Sequence, residues 1–250
     1  MVILLHGRYF ELAIDCCDKA IPALSHDRMR RLSQVLYLHG FASGPSSTKA
    51  NFFSSRFAEV GVEATIPDLN EDDFEGLNIT RELELIHGVS REIKPSVVMG
   101  SSHGGYLAAL HACQHPELAP ALVLMAPGFG FPGRWDDKLG SKRLAEWKHT
   151  GSMPFFHYGA HCFKQVGYQF YEDAQQYDPF PPVKQPTLIF HGKGDEAVDA
   201  ELSKEFAAGK PNVELHLLDS DHGLTDVMDE MWAVTARFCE GLETVSGGKA

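Results

Sequence analysis

The chain has 250 residues, 44% hydrophobic and 22% charged, a composition typical of one ordinary globular domain. Its formal net charge of −12 argues against a nucleic-acid partner, because phosphate binding needs clustered Lys and Arg, and it disfavours anionic membrane surfaces. Apolar runs such as residues 121–126 are far shorter than the roughly 20 residues that cross a bilayer, so we expect no membrane partner.

The N-terminal region gives few structural signals. Residues 11–24 could form a helix, but no strand pairs obviously with this part of the chain, so residues 1–33 are predicted to be an N-terminal extension or an extra helix. The first ten residues lack a basic stretch and a small-residue cleavage site, which predicts no signal peptide. Five cysteines without a CxxC pair indicate reduced thiols and a cytoplasmic protein.

From Gln34 onward, short apolar runs alternate with helical patterns. The predicted strands are residues 35–38, 62–66, 97–99, 121–125, 187–190 and 213–218. Helical spacing is found in three apolar sets: Phe53, Phe57 and Val60; Leu83, Ile86, Val89 and Ile93; Val227, Met231, Val234 and Phe238. This order predicts an α/β fold with a mostly parallel, doubly wound sheet, whose ligands bind beyond the carboxyl ends of the strands. The predicted core comprises residues 34–128 and 181–245.

Residues 129–180 interrupt this alternation. They show no clear strand, look helical only at residues 173–177, and hold half of the chain's Phe, Tyr and Trp. A segment this long is usually a functional lid or carries its own structure, so it predicts an inserted cap over the site. Phe155, Phe156 and Tyr158 are predicted to line the substrate pocket, with a place in the core as the alternative.

The strongest chemical signal is the G-x-S-x-G pattern in residues 100–104. An apolar strand precedes it and a small-residue helix follows, which is the setting of a nucleophile elbow. Ser102 is the predicted nucleophile, because Gly100 and Gly104 then occupy the two crowded positions of the turn. Centring the turn on Ser101 would put Met99 and His103 there instead.

A serine hydroxyl needs a base to take its proton and an acid to orient that base. Asp195 follows the strand TLIF, and His222 lies on the loop between the strand VELHLL and the last helix. Both positions are at the carboxyl edge of the predicted sheet, in the order Ser, Asp, His. The alternatives are Glu196 and Asp199 for the acid, and His216, His111 and His115 for the base.

An oxyanion hole needs two backbone N–H groups directed at the developing charge. His103, which follows the nucleophile, is predicted to supply one, and Phe41, after the strand at residues 35–38, the other. His39 and Gly40 precede Phe41 and are predicted to contribute to substrate binding. The similar segment at residues 2–7 is less favoured because no amphipathic helix follows it before the next strand.

The stretches YLHGFASGP, GSSHGGYLAAL, LIFHGKGDEAV and LLDSDHGL together resemble small bacterial serine carboxylesterases of the α/β-hydrolase superfamily. The resemblance covers residues 34–240 in the expected order. It implies Ser102, Asp195 and His222 as the catalytic triad, and Phe41 and His103 as the oxyanion donors. Residues 1–33 have no counterpart, and Ser101 stands where many relatives carry a larger side chain.

We therefore expect a serine carboxylesterase that hydrolyses small-molecule esters through an acyl-enzyme, without a metal or organic cofactor. An acyl thioesterase is the first alternative, because Lys138, Lys142, Arg143 and Lys148 could bind phosphate at the start of the cap. A non-catalytic protein that binds small ligands is the second alternative. The sequence leaves open whether the chain forms a homodimer.

One short segment of the sequence contains residues that could bind a metal ion. His157, His161 and Cys162 could chelate zinc if they lay on a helix. The segment has no HExxH glutamate, and Gly159 weakens a helix, so we predict histidines near the pocket and no metal.

Overall fold

A computed structural model describes residues 32–246, with the backbone alone for residues 243–246. The predicted extension or helix at residues 1–33 therefore lies outside the described residues, apart from its last two positions. Leu32 is buried in the core, and the backbone N–H of Ser33 donates to Ser96 Oγ at 2.9 Å. Leu32 and Ser33 therefore pack against the fold directly before the strand at residues 34–38.

Within residues 32–246, six strands form one parallel sheet in the order β2-β1-β3-β4-β7-β8. They are β1 (Gln34–Leu38), β2 (Glu63–Thr65), β3 (Val97–Ser101), β4 (Leu122–Met125), β7 (Thr187–Gly192) and β8 (Val213–Leu218). Leu38 lies opposite Gly100, and Met125 lies opposite both Ser101 and Phe190. The strands therefore end together at one edge, and the predicted α/β fold is confirmed.

Helices cover both faces of this sheet. They are α1 (Thr48–Glu59), α2 (Ile79–Ile93), α3 (His103–Gln114), α4 (Gly133–Thr150), α5 (Gln169–Ala174), α6 (Ala200–Ala207) and α7 (Met228–Ser246). Alternate residues of β1 point to opposite cores: Leu36 packs with α2 and α3, whereas Val35 packs with α1 and α7. The side chains of α3 are buried from His103 to Ala112, so this helix is enclosed within one core.

Residues 129–180 contain two strands as well as helices. Strands β5 (Ser152–His157) and β6 (Cys162–Gly167) pair as an antiparallel hairpin. It follows α4, which is broken at Gly140, and precedes α5. The hairpin was not predicted, because its mostly exposed strands lack the buried apolar run that marks the strands of the main sheet. The short helix predicted at residues 173–177 begins earlier, at Gln169, and ends at Ala174.

The length and polarity of the helices bear on membrane insertion. In the part of the chain that the structure describes, no helix combines the length and apolar character needed to cross a lipid bilayer.

Candidate active site

Ser102 occupies the sharp turn between β3 and α3. Its backbone has φ 53° and ψ −115°, a conformation that non-glycine residues rarely adopt and that is typical of strained functional positions. A Cβ added to Gly100 would lie 2.2 Å from the Gly104 carbonyl oxygen, and one added to Gly104 would lie 2.2 Å from the Leu38 carbonyl oxygen. Only glycine fits these positions, whereas Ser101 is the last, buried residue of β3.

A chain of hydrogen bonds links Ser102, His222 and Asp195. Ser102 Oγ lies 3.0 Å from His222 Nε2, and His222 Nδ1 lies 2.7 Å from Asp195 Oδ2. Because a carboxylate only accepts, Nδ1 carries the proton and donates it, which leaves Nε2 to accept from the serine hydroxyl. The Asp195 side chain is buried, and that of His222 is 31% exposed. The structure thus brings together the three residues that the sequence placed on separate loops.

Asp195 is held in its ionised form. Burial by itself would raise its pKa, but hydrogen bonds from His191, His222 and the Val198 amide outweigh burial and hold the pKa of Asp195 well below its usual range. The amides of Ala197 and Val198 both donate to Oδ1 at 2.8 Å. A carboxylate fixed in this way can orient the imidazole and offset a positive charge on it.

His191 is a second histidine on this carboxylate, and the sequence analysis missed it. Its ring is fully buried, and Nε2 lies 3.1 Å from Asp195 Oδ2 and 2.9 Å from the Val198 carbonyl oxygen. Since both are acceptors, Nε2 carries the proton, and Nδ1 accepts from the Ser203 hydroxyl at 2.7 Å. The available signal was its position in the motif HGKGD, at the end of β7 and four residues before Asp195.

The alternative acids and bases occupy other positions. Asp199 accepts from the Glu201 amide at 2.9 Å and caps α6, while Glu196 is exposed. His216 on β8 lies 2.6 Å from Glu214. His111 and His115 lie at the far end of α3 from Ser102.

The loop after β1 lies directly against the turn at Ser102. A Cβ added to Gly40 would lie 3.6 Å from Ser102 Cβ. Within residues 32–246, no acceptor takes the amide N–H of Phe41 or of His103, so both donors are free for a ligand oxygen. His103 is the first residue of α3, where the helix dipole also favours negative charge. These groups can form an oxyanion hole.

His39 holds this loop in place through hydrogen bonds to two backbone groups. Its Nε2 accepts from the Leu69 amide at 3.0 Å, so Nδ1 carries the proton and donates to the Gly40 carbonyl oxygen at 3.0 Å. Burial lowers the pKa of His39, which favours this neutral form. Neither His39 nor Gly40 is among the residues that line the cavity above Ser102.

That cavity has a volume of about 420 Å³, within the range of ligand pockets. Ser102, His103 and His222 lie on its lining. Its walls are largely aromatic: Phe41, Phe131, Trp135, Phe155, Phe156, Tyr158 and Phe170. The centroid of the Phe41 ring lies 5.3–5.4 Å from the ring centroids of Phe155, Trp135 and Phe170, so the wall is packed as one unit. All three aromatic residues predicted for the pocket are on its lining.

Two charged side chains around this cavity, Glu82 and Arg134, were also missed, whereas Lys138 was singled out as a basic residue at the start of the cap. Glu82, on the apolar face of α2, lies 2.8 Å from His103 Nε2, and both side chains are buried. Arg134 and Lys138 line the cavity and donate to the Ala197 carbonyl oxygen. A charged residue at position 82, between the apolar residues of the helical face, was the one sequence signal for Glu82.

The model of the uncharacterised protein family UPF0227 matches residues 34–239. The chain belongs to this family. Its fold is that of the α/β hydrolases, because the matching solved structures are esterases, lipolytic enzymes and other hydrolases of that superfamily.

Two solved structures illustrate this similarity. Est1E from Butyrivibrio proteoclasticus is 18% identical, with a TM-score of 0.65 over 86% of this chain and 91% of its own. The alpha/beta hydrolase domain-containing protein 10 from mouse is 19% identical, with a TM-score of 0.69 over 82% of this chain and 88% of its own. At these identities, the similarity shows a shared fold.

The metal-binding pattern near the hairpin is not on a helix. His157 ends β5, and its Nδ1 accepts from the Ala160 amide at 3.1 Å, while His161 lies in the turn before β6. His157 also packs on Phe74, with ring centroids 4.8 Å apart. Its ring therefore has a structural role in holding the hairpin turn.

Proposed function

We propose that the protein is a serine carboxylesterase that acts on small esters with an apolar acyl or aryl group. The observation that carries this proposal is the hydrogen-bonded chain from Ser102 through His222 to Asp195, at the floor of an aromatic cavity. A nucleophile, its base and an orienting acid are the parts that acyl transfer requires.

In the first half of the reaction, Ser102 Oγ attacks the ester carbonyl carbon while His222 Nε2 takes the hydroxyl proton. The amides of Phe41 and His103 stabilise the oxyanion, each contributing on the order of 3 kcal/mol. The imidazolium then gives its proton to the departing alkoxide, so the alcohol leaves and an acyl-serine remains. Asp195 stabilises the imidazolium throughout.

In the second half, His222 takes a proton from water, and the resulting hydroxide attacks the acyl carbon. Collapse of the intermediate breaks the bond to Ser102 Oγ, and His222 returns the proton to the serine. The carboxylic acid leaves. Segment 129–180 would act as the cap, because Trp135, Phe155 and Phe170 cover the cavity from that side.

The aromatic walls support the proposed substrate class. They offer apolar contact area to an acyl or aryl group rather than hydrogen-bonding partners. Among the proteins of the same fold, Est1E has been solved with ferulic acid bound, which is an aromatic carboxylic acid. We therefore include aryl esters beside straight-chain esters in the test.

The test is the hydrolysis of p-nitrophenyl esters by wild type, Ser102→Ala and Ser101→Ala, with acyl groups from acetate to dodecanoate and benzoate as the aryl acid. We expect Ser102→Ala to lower kcat by about 10⁶-fold. Ser101→Ala is the matched control, because Ser101 ends β3 and is not on the cavity lining, and it should stay near wild type. Labelling by an organophosphonate should be lost only in Ser102→Ala. Unchanged turnover in Ser102→Ala would refute the proposal.

An acyl thioesterase is the second candidate, and Lys138 and Arg134 on the cavity lining favour it. Of the four basic residues singled out in the sequence, only Lys138 is on that lining. If a coenzyme-bound acyl group is the substrate, Lys138→Ala should raise KM for acyl-CoA and leave KM for p-nitrophenyl esters unchanged. Equal effects on both substrates would count against it.

A further inference from the structure

Three histidines meet at the end of α3 that is remote from Ser102. His87 comes from α2, His111 from α3, and His115 directly follows α3. One nitrogen atom of each ring lies within 4.8 Å of the others. Because α3 rises about 1.5 Å per residue, this cluster lies roughly 15 Å from the proposed nucleophile. It is therefore separate from the site described above.

Three ring nitrogens of this cluster lack a hydrogen-bond partner among the residues that the structure describes. Both ring nitrogens of His111 and Nδ1 of His87 are buried, and they find no hydrogen-bond partner among the described residues. His111 is fully buried. Buried polar atoms are almost always paired, so three unpaired nitrogens in one place require an explanation.

Protonation is a poor explanation for this arrangement. The ring centroids of His87 and His115 are 4.1 Å apart, and those of His111 and His115 are 5.4 Å apart. Positive charges on neighbouring rings would repel one another, and a buried ring is costly to charge. The nitrogen atoms instead lie close enough together to share one metal ion, which binds the unprotonated nitrogen of an imidazole.

We propose that His87, His111 and His115 bind one divalent transition-metal ion of the zinc class. Imidazole is a preferred ligand for these ions. The His115 amide donates to the His111 carbonyl oxygen at 2.8 Å, which holds His115 one turn beyond His111 at the end of α3. A tetrahedral site with Zn–N distances of about 2.1 Å brings its nitrogens to about 3.4 Å, so small rotations of the rings would close it.

The negatively charged carboxylate of Glu117 lies near the histidine cluster and would complement the charge of a divalent cation. Its Oε1 lies 3.9 Å from His115 Nδ1, and its side chain is largely exposed. The fourth position of the ion therefore belongs to Glu117 or to water. The sequence pattern indicates His111 and His115 only as alternatives to His222, because His87, which completes the cluster, lies on a different helix.

Such an ion would serve the structure of the protein. It would tie α2 to α3, the two helices that also carry the Glu82–His103 contact under the cavity. A cross-link between them resists their separation, so the ion should stabilise the fold by mass action. It lies too far from Ser102 to take part in acyl transfer.

The test titrates chelator-treated, metal-free protein with Zn²⁺ by calorimetry and with Co²⁺ by absorption spectroscopy. We expect one ion per chain, a Co²⁺ spectrum of tetrahedral nitrogen coordination, and a higher Tm with Zn²⁺. His87→Gln and His115→Gln should each weaken binding by at least about 100-fold, the upper end of the loss seen when an outer-shell partner is removed. Both rings are only partly buried, so these variants should fold; circular dichroism checks this.

The matched control is the double variant His161→Gln, Cys162→Ser, which removes two exposed side chains of the hairpin that could bind a metal ion. It should bind Zn²⁺ as wild type does. Binding that is lost in this control but kept in His115→Gln would overturn the proposal. So would the failure of metal-free wild type to bind Zn²⁺ or to gain thermal stability from it.

Discussion

The edge of the main sheet and segment 129–180 form the two sides of the same cavity, but they are built differently. At the sheet edge, hydrogen bonds of 2.7–3.0 Å hold Ser102, His222 and Asp195 on three short loops. In the segment, aromatic rings pack on one another, and some remain open to solvent: Phe156 is 39% exposed. The geometry of the sheet edge is therefore determined by the backbone and by directional hydrogen bonds, whereas that of segment 129–180 is determined by apolar contacts.

This difference separates chemistry from selectivity. Directional bonds tolerate little displacement, so changes at the sheet edge should act on kcat. Apolar contacts are adaptable and bind ground state and transition state alike, so changes in the segment should act on KM and on the preferred acyl length. The following predictions test that division, from the largest expected effect to the smallest.

The strongest test at the sheet edge exchanges Asp195 for Asn. Asp195→Asn should lower kcat by about 10⁴-fold, because the amide no longer selects the imidazole tautomer that accepts from Ser102. Asp199→Asn is the control, since Asn caps a helix as well as Asp does and α6 should stay intact. Steady-state kinetics on one p-nitrophenyl ester measures both. A severe loss in Asp199→Asn alone would move the acid to position 199.

A substitution at His191 tests whether its hydrogen bond to Asp195 affects kcat, as expected for the sheet edge, rather than KM. His191→Gln removes a buried hydrogen bond to a charged carboxylate, and we expect kcat to fall roughly tenfold to 100-fold with KM unchanged. Ser203→Ala, which frees His191 Nδ1, should act in the same direction but less. A rise in KM at constant kcat would place His191 in substrate binding instead.

Phe156 and Phe163 test the other side of the cavity. They face each other across the β5–β6 hairpin, but only Phe156 is on the cavity lining. Phe156→Ala should raise KM for long-chain esters by up to about tenfold and leave kcat near wild type, because it removes apolar contact alone. Phe163, 71% exposed, is the matched control, and Phe163→Ala should change neither constant. A large loss of kcat in Phe156→Ala would contradict the assignment of kcat effects to the sheet edge and of KM effects to segment 129–180.

The sequence by itself determined the parallel sheet and the positions of Ser102, Asp195 and His222 on it. Buried strands carry continuous apolar runs, and a nucleophile turn requires glycines at fixed spacing, so both leave local patterns that can be read without a structure. The loop at Phe41, which carries a proposed oxyanion donor, could be predicted for the same reason.

Only the tertiary structure decided which side chains meet across the fold. The contact of His191 with Asp195, that of Glu82 with His103, and the histidine cluster at His111 each depend on the packing of distant elements. The hairpin at residues 152–167 and the inward position of His39 were hidden for the same reason. Spacing along the chain encodes local backbone geometry, whereas these contacts arise from how helices and loops pack around the sheet.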